Sequence, residues 1–162
     1  MAAGRTYTPI ATQTLNSAQA QITFSSISSV YTDLILVFSG TLASTDVLVM
    51  RFNGDTASNY SDTILEGTGT AAVSNRHSNY GYSFLNSVNL GTGSINSITH
   101  IMNYANTTTN KSFISRVNSA AAETAATAGL WRSTAAINSI TIIAGSSFAT
   151  GSTFTLYGIA AA

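Results

Sequence analysis

The chain has 162 residues with six basic and six acidic ones, so it is 7% charged with no formal net charge, against about 25% charged in typical soluble proteins. An apolar share of 44% with no net charge excludes disorder, and no apolar run nears the roughly 20 residues of a membrane-spanning helix. The cations stand singly, which excludes the basic stripe of a nucleic-acid binder and the polybasic segment of a membrane-surface binder, and the lack of cysteine excludes disulfides and thiolate chemistry.

Residues 1–18 are expected to form a short extended N-terminal arm, with Pro9 ahead of the first strand, and residues 19–162 a single domain. Ala20, Ile22 and Phe24 alternate with Gln21, Thr23 and Ser25, the period of a half-buried strand. Residues 30–38 and 46–52 are apolar on both parities, which predicts central strands. Asn53-Gly54 follows at once as a hairpin signal. Further strands are expected at 60–66, 80–85, 97–104, 111–117, 129–133, 137–144 and 153–160. Tyr80, Tyr82 and Phe84 share one face of theirs, and Ile98, His100, Met102 and Tyr104 share one face of another. Residues 119–128 are alanine-rich but lack an apolar stripe, and are read as irregular or β-like rather than helical. Short strands with frequent turns predict an all-β, antiparallel, jelly-roll-like β-sandwich of about 8–10 strands. Ser, Thr and Asn solvate its surface in place of charge. Such a surface lacks the charge that keeps monomers apart, and an assembly is expected.

Chemistry finds little to stand on. Asp33, Asp46, Asp55, Asp62, Glu66 and Glu123 are the acidic residues. Asp55 and Asp62 flank the loop after Asn53-Gly54 and could face each other as a glycosidase pair or, with Asn59, hold Ca²⁺. The plainer reading makes both turn and cap residues. His77, beside Arg76, reads as a solvated loop residue, and His100 as a satisfied core or interface histidine. Two histidines without H-E-x-x-H spacing make no catalytic zinc site, and no serine sits in a G-x-S-x-G elbow. No catalytic, metal or cofactor-binding residue is assigned, no cofactor is expected, and the chain is read as not an enzyme. Trp131 and the seven tyrosines suit either sugar stacking or a protein interface.

Four segments carry a resemblance. Tyr31-Thr32-Asp33-Leu34-Ile35-Leu36-Val37, Arg51-Phe52-Asn53-Gly54-Asp55 with Asn59-Tyr60-Ser61, Gly129-Leu130-Trp131, and Gly151 through Ile159 together resemble a family of tailed-bacteriophage virion proteins. The resemblance implies a jelly-roll-like sandwich and a capsid decoration (cement) protein, with no catalytic residues to carry over. It implies a homotrimer on the outside of the phage head, binding major capsid protein subunits. The arm and the C-terminal strand would serve as extra contacts, the latter by adding to a sheet edge. No secretory signal is seen, so synthesis in the host cytoplasm is expected. The alternative is a receptor- or carbohydrate-binding module of a tail fibre or head fibre, with host glycans as partner.

Overall fold

The computed structural model describes residues 6–87, 89–120 and 123–160. They form an all-β sandwich of two antiparallel sheets, with twelve strands among the described residues where about 8–10 were expected. In chain order these are β1 Tyr7–Thr14, β2 Gln19–Phe24, β3 Asp33–Gly40, β4 Leu48–Phe52, β5 Tyr60–Gly67 and β6 Ala72–Tyr80. Then come β7 Ser83–Phe84, β8 Ile95–Ile101, β9 Lys111–Ser119, β10 Thr124–Trp131, β11 Ile140–Phe148 and β12 Thr153–Ile159. The large sheet runs β1-β12-β3-β8-β9-β10-β5-β6 and the small one β2-β11-β4-β7.

Alternation decides what each strand buries. On the large sheet Leu34, Leu36, Phe38, Phe113, Val117, Phe154 and Leu156 point inward; on the small sheet Ile22, Phe24, Leu48, Met50, Phe52, Ile140 and Ile142 meet them. Two aromatic clusters fill the layer. Phe38 stacks on Phe154 at 4.7 Å, with Phe148 edge-on to both. Phe52, Tyr60, Phe113 and Trp131 form the second, with Phe52 5.6 Å from Trp131. Gly129 lies opposite Phe113 in the β9–β10 ladder, where a Cβ would fall 2.0 Å from the Phe113 ring.

Several expectations are corrected. The arm is not free over its described part: residues 7–14 form edge strand β1, paired along β12, with Thr12 on Thr155 and Thr14 on Thr153. Pro9 sits inside β1, where an edge strand tolerates a residue that cannot donate, and the register shifts between Pro9 and Ala11. Residues 1–5 lie outside the described residues. The C-terminal strand has no free edge, because β12 runs between β1 and β3. Asn53 and Gly54 take the expected positive φ of 51° and 65° but build no hairpin, since β4 and β5 belong to different sheets. The turn instead carries the chain across the sandwich. The Asn53 side chain fixes it, donating to the Ala136 carbonyl at 2.8 Å and accepting from the Asn138 and Ser139 amides. The tyrosine hydroxyl of Tyr60 closes the same crossing by accepting from the Phe52 amide (2.9 Å) and donating to its carbonyl (3.3 Å).

The alanine-rich stretch continues as strand from Thr124, its Ala125 and Thr127 facing the core; Ala121 and Ala122 lie outside the described residues. The stretch around Arg76 and His77, read as loop, belongs to β6, an edge strand exposed along most of its length and therefore without apolar alternation. In β8 the parity is reversed: Ile95, Ser97, Thr99 and Ile101 are buried and Ile98 and His100 face outward. Thr99 is tolerated inside because its hydroxyl pairs with that of Ser115 at 2.9 Å.

Candidate functional site

The outer face of the large sheet is read directly from the ladder register. One tier runs Tyr157, Ile35, His100, Ile114, Ala128, Thr63 and Arg76 across successive strands. The next tier runs Thr155, Val37, Ile98, Arg116, Ala126, Leu65 and Ser74. Ile114 is 54% exposed and Leu65 61%. Beyond them a third tier of Thr153, Ser39, Asn96, Asn118 and Thr124 is wholly polar. Two hollows of about 310 and 280 Å³ meet at Ile98 and Arg116, the second bordered by Tyr7, Ile35, His100 and Ile114. His100 bonds to Asp33 through Nε2 at 2.8 Å, at the margin of this apolar field. It is partly exposed, so it is neither a core histidine nor solvated alone. Among the described residues no carboxylate pairs with Arg116.

A smaller groove of about 230 Å³ lies on the outer face of the small sheet, bordered by Asp46, Val49, Arg51, Tyr82, Phe84 and Ile143. Tyr80, Tyr82 and Phe84 do share a face, their rings 5.1–5.7 Å apart. Arg51 is steered into this groove by a bond from Nε to the Gly81 carbonyl. Trp131 contributes to neither surface; it is 2% exposed and its indole N–H donates to Asp55.

The structure does not turn Asp55 and Asp62 on a common substrate. Asp55 accepts from Trp131, Asn59 and the Ala57 amide. Burial alone would raise its pKa, and those bonds outweigh it and hold the carboxyl below the usual range. Asp62, buried, accepts from His77 Nδ1 at 2.7 Å, Ser83 Oγ at 2.9 Å and the Phe84 amide. His77 is thus no loop residue: it stands on β6 and its ring lies 4.2 Å from that of Phe84. Asp62, His77 and Ser83 bring together the residue types of a hydrolase triad in the wrong order of bonds. A nucleophilic serine must bond to the histidine, whereas Ser83 is 1% exposed and bonds to the aspartate. The cluster ties β5, β6 and β7 together.

Sequence reasoning assigned nothing to Glu66, Glu123 or Lys111, yet all three are buried. Lys111 Nζ donates to the Thr109 and Thr134 carbonyls, and burial pushes its pKa down. Glu66 accepts from the amide and hydroxyl of Ser87. Glu123 accepts from Asn86 at 3.0 Å. Burial lifts the Glu123 carboxyl to about 7, the Asn86 bond opposing and the charge of Glu66 adding to the rise. Their strand parity was the available signal, since Asp62 and Glu66 fall in step with Tyr60 and Ile64.

No protein-family model and no curated protein sequence matches the chain. Among solved structures it is similar to the exo-inulinase of Aspergillus awamori, with 12% identity over 94% of this chain but 29% of that one, at a TM-score of 0.44. It is also similar to the galectin LEC-6 of Caenorhabditis elegans, with 8% identity over 93% of this chain and 96% of the galectin, at 0.36. The alginate lyase Aly36B follows at 11% identity, covering 91% of this chain and 77% of the lyase, with a TM-score of 0.32. At these levels the likeness carries no argument about activity.

Proposed function

We propose that this chain is a non-catalytic structural subunit of a virus particle: a phage capsid decoration protein, trimeric, that binds across neighbouring major capsid protein subunits. The observation that carries the reading is the outer face of the large sheet. Two adjoining tiers set the exposed Ile114 and Leu65 and the half-buried Val37 and Ile98 around Arg116, on a chain rich in Ser, Thr and Asn and poor in charge. Contiguous apolar surface of this kind marks a contact site, and stable contacts across several subunits bury on the order of 2,000 Å². The segments that resemble tailed-phage virion proteins support the same reading.

Purified protein is mixed with undecorated capsids and sedimented, and capsid melting is followed. Stoichiometric binding with a raised capsid melting temperature is expected, lost in Ile114→Asp and Arg116→Glu, both of which keep the wild-type fold. Absence of co-sedimentation, or binding that survives both substitutions, overturns the proposal.

A second reading, a glycan-binding module, is favoured by the groove of Tyr82, Phe84, Arg51 and Asp46, which combines an aromatic platform with a charged donor and acceptor. Glycan-array binding abolished by Tyr82→Ala, with no capsid binding, would place the chain there.

A further inference from the structure

Three polar side chains converge on the inner face of the large sheet, where β9 turns into β10. Ser119 and Glu123 face each other across that turn, joined by amide-to-carbonyl bonds in both directions of 2.7 and 3.2 Å. On the other flank Glu66 stands opposite Ala125, which makes it the diagonal neighbour of Glu123 on the same face. Diagonal neighbours stand about 7–8 Å apart at Cα, within reach of two glutamates. Ser119, Glu123 and Glu66 are 6%, 5% and 3% exposed.

Glu123 Oε1 has the Asn86 amide, but Glu123 Oε2 has no donor and Ser119 Oγ has no partner. Native proteins leave few buried polar atoms in this condition. Among the described residues, neutral neighbours are Asn86 and Ser87 from the segment after β7, and Ile95 opposite Ser119 on β8. The cations Arg76 and Arg116 are both exposed, and Arg116 faces the opposite side of the sheet. Two carboxylates are therefore placed side by side, with the Glu123 Oε2 and Ser119 Oγ acceptors vacant and, among the described residues, no ion pair from a cationic side chain. Ser119 and Glu123 border a cleft of about 560 Å³, with Gly67, Ser94 and Asn118, that opens to solvent.

We propose that this cluster is a calcium site, in which Glu123 Oε2 and Ser119 Oγ are ligands, the Glu66 carboxylate supplies the second negative charge, and water completes the shell. Oxygen ligands of mixed type and irregular placement suit Ca²⁺, which takes six to eight, better than Mg²⁺, which demands near-octahedral order.

The test is calorimetric titration of CaCl₂ into chelator-treated protein at pH 8, with thermal melting alongside. One Ca²⁺ per chain and a raised melting temperature are expected, with at least tenfold weaker binding of MgCl₂. Glu123→Gln should abolish binding and Ser119→Ala should weaken it tenfold or more. Ser119→Ala removes a hydroxyl with no partner, so it folds and keeps the test decisive if Glu123→Gln does not fold. Absence of heat and of any melting shift at millimolar Ca²⁺, equal response to Mg²⁺, or wild-type affinity in Ser119→Ala would each overturn the assignment.

Discussion

Replacing Tyr60 by Phe isolates the hydroxyl that joins the two sheets. The side chain is fully buried and phenylalanine fills the same space, so no cavity opens. The Phe52 carbonyl keeps a second donor in the Asp55 amide at 2.9 Å, whereas the Phe52 amide has only the phenol oxygen at this point. The substitution therefore orphans one buried N–H, at a cost of about 2 kcal/mol, or a melting temperature lower by roughly 4–8 °C in a chain of this size. A second arm comes from titration. Burial, foremost, pushes the Tyr60 phenol from 10.0 up to about 12. The folded state then holds its proton where the unfolded state has lost it. The contribution is present in full below pH 10 and is lost as pH rises through 12, with about 1 kcal/mol gone at pH 11. Urea unfolding of both proteins at pH 7 and 11 reads this directly. The gap of about 2 kcal/mol should narrow by half at the higher pH, with unchanged denaturant slope. Equal stability at pH 7, or a gap that ignores pH, would refute the reasoning.

Gly129→Ala drives a methyl into the Phe113 ring and should cost about 3 kcal/mol, with part recovered in Gly129→Ala/Phe113→Leu; urea titration of the three proteins decides it. Asp62→Ala strips the acceptor from His77, Ser83 and the Phe84 amide, and should destabilise by about 3 kcal/mol. Hydrogen exchange at Phe84 should accelerate more than at Leu36. Trp131, buried against Phe52 and Tyr60, should show blue-shifted emission, weak acrylamide quenching and no response to added saccharides; a glycan-dependent spectral change would contradict its placement.

How much of this was legible follows from what kind of signal each residue sends. Ile22 and Phe24, or Leu34 to Phe38, announce strands because hydrophobic burial imposes a period of two. The all-β sandwich follows from such patterns. β6 sends no such signal, since Ser74, Asn75, Arg76 and Ser78 on an exposed edge need bury nothing. In β8, Ser97 and Thr99 look solvated until Ser115 is known to lie across the ladder, a contact between residues far apart in sequence. Asn53 and Gly54 were legible as backbone geometry but not as topology, because positive φ sets the turn and not which sheet receives the next strand. The outer face of the large sheet could not be seen at all beforehand. Leu65, Ile98, Ile114 and Arg116 come from three strands, and only the register places them side by side.

The pairing of β1 with β12 sets an order of events at the ribosome. Thr12 meets Thr155 across a separation of 143 residues, so β1 leaves the exit tunnel long before its partner exists. Until β12 emerges, β3 also presents an unpaired edge with Leu34 and Leu36 beside it. The nascent chain carries these open edges for as long as β12 is unmade, and closure waits for β12 to emerge. Truncations that remove residues 153–159 should accumulate as aggregates rather than as a smaller soluble sandwich.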